Sequence, residues 1–270
     1  MFKKMKIKDH TFVVTGAGSG MGKELSYQIA QKGGFVVGID RNEETLAEVN
    51  EYLQPFGGFS GSYVLDIADL NAIKVISARI IETHKTIDGI FNNAGIIQAF
   101  KPFNELTEHD IRHVMDVNFY GLIFLTKAFL PTLLSRHEAH IINTSSMGGF
   151  LPVPGQTIYG ASKAAVKLFT EGLFAELAET KVHVTLILPG AVKTEITSNS
   201  GIEIPASATE STYKMLSANE AARQIIEAVE RNKYQAYIGR DSWLMNLITR
   251  INPLYANRMI SKQMKALLKN

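Results

Sequence analysis

The sequence predicts an α/β fold: one domain built on a doubly wound parallel sheet flanked by helices, with a helical extension at the C-terminus. Three observations predict it. Short strand-like runs alternate with helix-periodic segments along the chain, the pattern of successive βαβ units. The strand-like runs are apolar throughout rather than alternating, as in strands covered on both faces. No hairpin signal, linker, repeat or low-complexity tract interrupts the 270 residues, a length that one α/β domain can fill.

Residues 11–15 (TFVVT) are a β-rich run ending at a glycine, and 20–32 carry Leu25, Ile29 and Ala30 at helical spacing. Residues 35–40 (FVVGID) read as the second strand and 43–53 as a helix. A third strand at 61–65 and a helix at 70–81 precede a fourth strand at 87–91. Residues 107–134 read as one long helix, 140–144 (HIINT) as the fifth strand and 157–178 as another long helix. The sixth strand is 183–188 (HVTLIL), and a helix at 218–231 and a strand at 236–238 complete the pattern. The main domain is read as 1–240, with 241–270 as an amphipathic helical extension of it.

Hydrophobic residues make up 46% of the chain and charged residues 20%, ordinary values for a soluble globular protein. With no cysteine there is no disulfide, thiolate nucleophile or cysteine metal site. That fits the cytoplasm, the expected location, without requiring it. A net charge of +2 is too small to suggest nucleic-acid binding. The N-terminus, MFKKMKIKDH, is basic but lacks the apolar core of a signal peptide. No stretch reads as approaching the ~18 apolar residues that span a bilayer.

Charge is unevenly spread. Residues 240–270 hold six bases (Arg240, Arg250, Arg258, Lys262, Lys265, Lys269) against one acid, Asp241, whereas the other 239 residues hold 22 bases and 25 acids. In this tail Trp243, Leu244, Leu247, Ile248 and Ile251 fall at helical spacing on one face. Pro253 is expected to interrupt the helix. Tyr255, Met259, Ile260, Met264, Leu267 and Leu268 then make a second apolar side, with Arg258, Lys262, Lys265 and Lys269 on the other. A helix pair packed on its own subunit, or on a neighbour in a homo-oligomer, is the expectation. The alternative is a basic amphipathic segment lying on an anionic membrane.

Three local patterns carry chemistry. After the first strand comes Thr15-Gly16-Ala17-Gly18-Ser19-Gly20-Met21-Gly22. A glycine-rich turn into a helix N-terminus binds anions, because amides point outward, the dipole favours phosphate and missing Cβ atoms allow close approach. The competing reading is a plain turn. Asp40 ends the second strand eighteen residues after Gly22. A carboxylate there accepts hydrogen bonds from a ribose diol and repels a 2′-phosphate, the competing reading being a strand-end or helix-capping Asp. Tyr159 and Lys163 stand four residues apart with small residues between them. One helical turn places both on one face, where an ammonium lowers the pKa of a phenol that is otherwise about 10.

These patterns are joined by NNAG at 92–95, a serine thirteen residues before the tyrosine, Asn118 in VNFYG, and PGxxxT at 189–194. Together they resemble the short-chain dehydrogenase/reductase family over residues 8–240. Order and spacing carry the likeness rather than any single motif. The resemblance implies a Rossmann-like nucleotide-binding fold, a small-molecule alcohol or carbonyl substrate, an NAD or NADP cofactor, and a homodimer or homotetramer. It implies Tyr159 as general acid/base at the carbinol or carbonyl oxygen, and Lys163 as the group that lowers the tyrosine pKa and holds the nicotinamide ribose. It also implies that Ser146 polarises the substrate oxygen, that Ser145 is structural, and that Asn118 holds a water in a proton relay to Lys163. On the cofactor side it implies Gly16, Ser19, Gly20, Met21 and Gly22 in the glycine turn, and Asp40 and Arg41 after the second strand. Asp66 and Ile67 belong near the adenine, Asn93 and Gly95 beside the fourth strand, and Val192 and Thr194 at the carboxamide.

Asp40 and Ser19 favour NAD(H), whereas Arg41, a base just after the acid, suits a 2′-phosphate. NAD(H) is the expectation and NADP(H) the alternative. Residues 195–217 are expected to form the lid of the substrate pocket, with Ile196, Ile202, Ile204 and Met215 among polar residues. His109 and His113 have helix-compatible metal spacing but no adjacent glutamate or third ligand, so a solvated helix face and no metal are expected. His137 and His140 are placed in a polar turn before the fifth strand. A nucleotide sensor of the same fold without catalysis is the second reading, opposed by the presence of Tyr159, Lys163, Ser146 and Asn118. A methyltransferase-type nucleotide fold leaves YxxxK and NNAG unexplained.

Overall fold

A computed structural model describes residues 5–202 and 215–264. Among these residues the strands are β1 (Thr11–Thr15), β2 (Phe35–Asp40), β3 (Phe59–Val64), β4 (Gly89–Asn92), β5 (Ala139–Thr144), β6 (Val182–Pro189), β7 (Val192–Lys193), β8 (Leu216–Ser217) and β9 (Gln235–Ile238). Seven of them form one parallel sheet in the order β3-β2-β1-β4-β5-β6-β9. The helices are α1 (Gly20–Gln31), α2 (Glu43–Leu53), α3 (Leu70–His84), α4 (Glu108–Met115), α5 (Leu122–Leu134), α6 (Thr157–Glu176), α7 (Ile196–Asn199), α8 (Ala218–Glu230), α9 (Arg240–Ile251) and α10 (Pro253–Met264).

Side chains along β1 divide between the two faces of the sheet. Phe12 and Val14 enter a core with Leu25 of α1, Val49 of α2 and Ile225 of α8. Val13 enters the opposite core with Ile80 of α3, Phe129 of α5 and Leu173 of α6. Every residue of β1 is buried, which explains why the strand reads as an unbroken apolar run. The strand order reverses beside β1, so the C-terminal ends of β1 and β4 open a crevice where open α/β sheets bind ligands.

The expected fold is observed, with local differences. The helix expected over 107–134 is divided by a π-helical segment at Asp116–Gly121. The widened turn carries Asn118 into the core, and Gly121 meets the Ile67 carbonyl so closely that a Cβ would lie 2.5 Å from its oxygen. Glu108–Leu134, with a mean hydropathy of 1.4 in its most apolar window, is long and apolar enough to cross a bilayer, correcting the expectation that no stretch is. Its apolarity serves the sheet, where Leu125, Phe129 and Leu133 are fully buried.

His140 is the second residue of β5 and fully buried, not part of the preceding turn. Its Nε2 has a partner there in the Thr185 hydroxyl of β6, at 2.7 Å. β7 and β8 pair with each other as a separate two-residue ribbon. In the extension, Pro253 begins α10 as expected, and of the expected apolar faces Ile248, Ile260 and Met264 pack on the domain. Met245 and Ile248 of α9 and Ala256, Ile260 and Met264 of α10 pack on Leu151 and its neighbours. Trp243, Leu244, Leu247, Ile251 and Tyr255 are exposed. Ile204 of the expected lid and Lys265, Leu267, Leu268 and Lys269 of the tail lie outside the described residues.

Candidate active site

β1 ends at Thr15, and the chain turns through Gly16 (φ 67°) and Gly20 (φ 50°) into α1. Gly16 needs to be glycine on two counts: its backbone is left-handed, and a Cβ would lie 3.0 Å from the Ala94 Cα. Ser19, the N-cap of α1, makes no capping hydrogen bond, and the first turn holds no acid. The first N–H groups of α1 are therefore free to meet an anion. Gly22 sits behind the turn, where a Cβ would overlap the Gly16 carbonyl. It lets the helix close on the strand and does not line the cleft.

The Asp40 carboxylate accepts the backbone N–H groups of Gly18 at 2.9 Å and Asn42 at 3.1 Å, which fixes it at the mouth of the cleft. Arg41 beside it donates to the Asn199 carbonyl across the opening. Asp66 and Ile67 line the same half of the cleft, and Asp66 is held by the N–H of Ala68 at 2.9 Å. Asp66 lies two residues beyond β3 rather than at its end. The other half is lined by Gly20, Met21, Asn93, Gly95 and Thr194. Asn93 is anchored by its own N–H and side-chain amide to Thr15. Val192 packs against the core behind Thr194.

At the inner end of the cleft, α6 presents Tyr159 and Lys163. Tyr159 and Ser146 meet over Gly148, where a Cβ would lie 3.2 Å from the Tyr159 ring and 3.5 Å from Ser146 Oγ. Burial pushes the phenol above its ordinary value, and the Ser146 contact only opposes that. The expected lowering by Lys163 is thus not what this geometry gives. The buried ammonium donates to the Thr144 carbonyl at 3.0 Å, and burial pulls its pKa down to about 8. Ser145 donates to the Lys163 carbonyl at 2.7 Å, holding α6 to the end of β5. Asn118 is fully buried: its Oδ1 accepts the Ile96 N–H at 2.8 Å, and its amide reaches the Ile96 carbonyl and Ser162. Both Asn118 and Lys163 converge on Gly95, where a Cβ would lie 3.2 Å from Asn118 Oδ1 and 3.1 Å from Lys163 Nζ.

Sequence reasoning missed three residues. Gln98 Oε1 accepts the N–H groups of Ile158 at 2.7 Å and Tyr159 at 3.0 Å, so it caps α6 at the tyrosine. Asn199 donates from its side chain to Ser19 at 2.8 Å, and the Ser200 hydroxyl accepts the N–H of Ile97 at 3.1 Å. Asn199 thereby fastens α7 to the glycine turn, and Ser200 fastens the residue after α7 to the segment that follows β4. All three act from loops or a single helical turn, where no periodicity marks them. His109 and His113 are stacked on one another on α4, and His113 lines a pocket beside the cleft with Arg41, Gln98 and Asn199.

The site therefore fits a dinucleotide. It has a glycine cradle that any Cβ would fill, a helix N-terminus with uncapped donors, and a fixed carboxylate at one end with the Tyr159–Lys163 pair at the other. Comparison with known proteins agrees. The short chain dehydrogenase family model matches residues 10–204. The SadH protein of Mycobacterium tuberculosis, which carries an oxidoreductase name, is 31% identical over 92% of this chain and 93% of its own length. Dehydrogenase/reductase SDR family member 7B of Rattus norvegicus is 32% identical over 85% of this chain and 73% of its own. A short chain dehydrogenase from Burkholderia cenocepacia, solved in complex with NADP, superimposes with a TM-score of 0.79 at 26% identity, covering 95% of this chain and 99% of that one. A Burkholderia phymatum relative in complex with NAD shares the fold, with a TM-score of 0.80 at 24% identity over 92% of this chain and 96% of that one.

Fold and site define a nucleotide-binding oxidoreductase. The chain belongs to the short-chain dehydrogenase/reductase family.

Proposed function

We propose that the protein interconverts an alcohol and a carbonyl compound, with Tyr159 as the proton donor and acceptor. The observation that carries this is the convergence of three side chains at the inner end of the cleft: Tyr159 and Ser146 flank Gly148, and the Lys163 ammonium reaches Gly95. The nicotinamide cofactor supplies the hydride acceptor or donor. Ser146 holds the substrate oxygen, and Tyr159 Oη takes the carbinol proton in oxidation or returns it in reduction. Lys163, with its pKa pulled to about 8, can exchange a proton close to physiological pH. Asn118, fixed through both polar ends of its side chain, holds Ile96 in the segment after β4 and offers its carbonyl side to a water in the relay to Lys163.

NAD(H) is the favoured cofactor in this reading. The Asp40 carboxylate, pinned by two backbone amides, suits a ribose diol and repels a 2′-phosphate. Arg41 supports the alternative only if it releases the Asn199 carbonyl. Two measurements on the purified protein test the proposal: the NADH fluorescence change on binding, and turnover with a panel of alcohols and carbonyls. Turnover with at least one pair is expected. Binding without turnover across the panel would favour a nucleotide sensor instead.

A further inference from the structure

The C-terminal helix pair leaves one face in water that its composition does not suit to water. α9 is tied to the core by the Ser242 hydroxyl, which donates to the Leu188 carbonyl at 2.7 Å. The inner faces of α9 and α10 pack on Met147, Phe150, Leu151 and Val153, the segment that directly follows Ser146. The outer faces present Trp243, Leu244, Leu247, Ile251, Leu254 and Tyr255, each between 41% and 74% exposed.

Cations share that outer face. Arg240, Arg258 and Lys262 are exposed, and at a helical period Arg240 falls beside Trp243 and Leu247, and Arg258 and Lys262 between Leu254 and Tyr255, whereas Arg250 faces Tyr237 of β9. Among the described residues none of these three is in an ion pair. The one acid of the pair, Asp241, is turned inward onto the N–H of Ala191.

This mixture decides between occupants. A twofold contact with a second copy sets a patch against itself, which here brings three cations against three with no acid on the outer face of the helix pair itself. An anionic bilayer accepts both components. Apolar side chains enter the acyl boundary, Trp and Tyr sit at the headgroup level, and Arg and Lys meet lipid phosphates. We propose that the outer face of α9 and α10 docks the protein on an anionic phospholipid surface. Docking then holds the Met147–Val153 side of the domain toward the bilayer.

Trp243 is the only tryptophan in the chain, so its emission reports on this face alone. The full-length protein is mixed at low salt with vesicles of phosphatidylcholine alone or phosphatidylcholine with phosphatidylserine. Co-sedimentation and a blue shift of Trp243 emission are expected only with the anionic vesicles, and both should weaken as salt is raised. The double variant L247E/I251E changes exposed positions and should keep its melting temperature and dinucleotide affinity. It should bind anionic vesicles about tenfold more weakly or worse, as should R258E/K262E. Wild-type protein that neither co-sediments nor shifts its emission at low salt overturns the proposal. So does a loss of oligomer mass by light scattering in L247E/I251E without any vesicle binding by the wild type, which would make the face a contact between copies.

Discussion

Asp241 Oδ2 accepts the backbone N–H of Ala191 at 2.7 Å, joining the first turn of α9 to the loop that leads from β6 into Val192 and Thr194. Gly190 and Gly239 leave the room: a Cβ at either would overlap the carboxylate. Gly239 also has a φ of 90°. The start of the extension therefore braces the loop that carries Thr194 to the cleft.

Asp241→Ala should leave the Ala191 N–H without its acceptor and loosen that loop, at a cost of about 1–2 kcal/mol in stability. The expected kinetic result is a raised KM for the dinucleotide with a smaller change in kcat. Asp241→Asn keeps an acceptor oxygen and should recover most of the affinity. Equal damage from both variants, or a change in kcat alone, would show that the contact does not serve the cleft.

Asp40→Ala should shift the preference toward NADP(H), because it removes the charge that repels a 2′-phosphate and leaves Arg41 beside the site. Paired kcat/KM values for the two cofactors measure the shift. A wild-type enzyme that already prefers NADP(H) would mean that Arg41 outweighs Asp40.

His140 supplies a pH dependence at the opposite end of the sheet. Thr185 donates its hydroxyl proton to the Lys233 carbonyl at 2.6 Å, so it accepts from His140 Nε2–H. The other ring nitrogen faces the Met5 sulfur, and the ring is held neutral. Burial, with His183 nearby, lowers its pKa from 6.5 to about 3. The unfolded chain thus takes up a proton as pH falls through 6.5, while the folded protein refuses it until about 3. Stability is full above 6.5 and is lost progressively below it. His183, lowered by burial and partly restored by Glu138, acts in the same direction. Between pH 6.5 and pH 5 the His140 contribution is about 2 kcal/mol. Urea unfolding of the wild type and His140→Gln at both pH values should show that much less loss in the variant. An equal loss would assign the acid sensitivity elsewhere.

Gln98→Ala should free the N–H groups of Ile158 and Tyr159 and let the first turn of α6 shift. Turnover should fall several-fold while dinucleotide affinity holds, because the cleft residues are untouched. Restoration by Gln98→Glu, which keeps an acceptor at that point, would confirm that the acceptor is what matters.

β1, β2 and α2 stand at the boundaries expected. TFVVT is buried from end to end, β2 is buried between its two ends, and α2 buries Leu46, Val49 and Leu53 behind an Asn42 cap. Sequence patterning failed where a local backbone choice leaves the apolar pattern intact. The π-helical turn at Asp116–Gly121 keeps helical periodicity on both sides, so nothing in the residues marks the break. In α9 two apolar stripes share one helix, Trp243 with Leu247 and Met245 with Ile248. Periodicity cannot choose which stripe meets the core. The site motifs were legible because glycine, Asp40 and the Tyr159–Lys163 spacing each answer a fixed chemical need. Gln98 and Asn199 answer needs set by tertiary contact alone, which a single chain read in order does not display.

In the proposed function Tyr159 moves the proton while the glycine turn and Asp40 hold the cofactor. Tyr159→Phe removes one hydroxyl from α6 and nothing from the cleft lined by Gly16, Asp40 and Gly95. Lys163→Ala, by contrast, should harm both binding and turnover. The direct test is turnover of Tyr159→Phe beside its dinucleotide affinity in the same preparation, with any substrate pair the wild type accepts. Unchanged affinity and a loss of turnover of about 100-fold or more are expected. Turnover equal to that of the wild type would contradict that role of Tyr159.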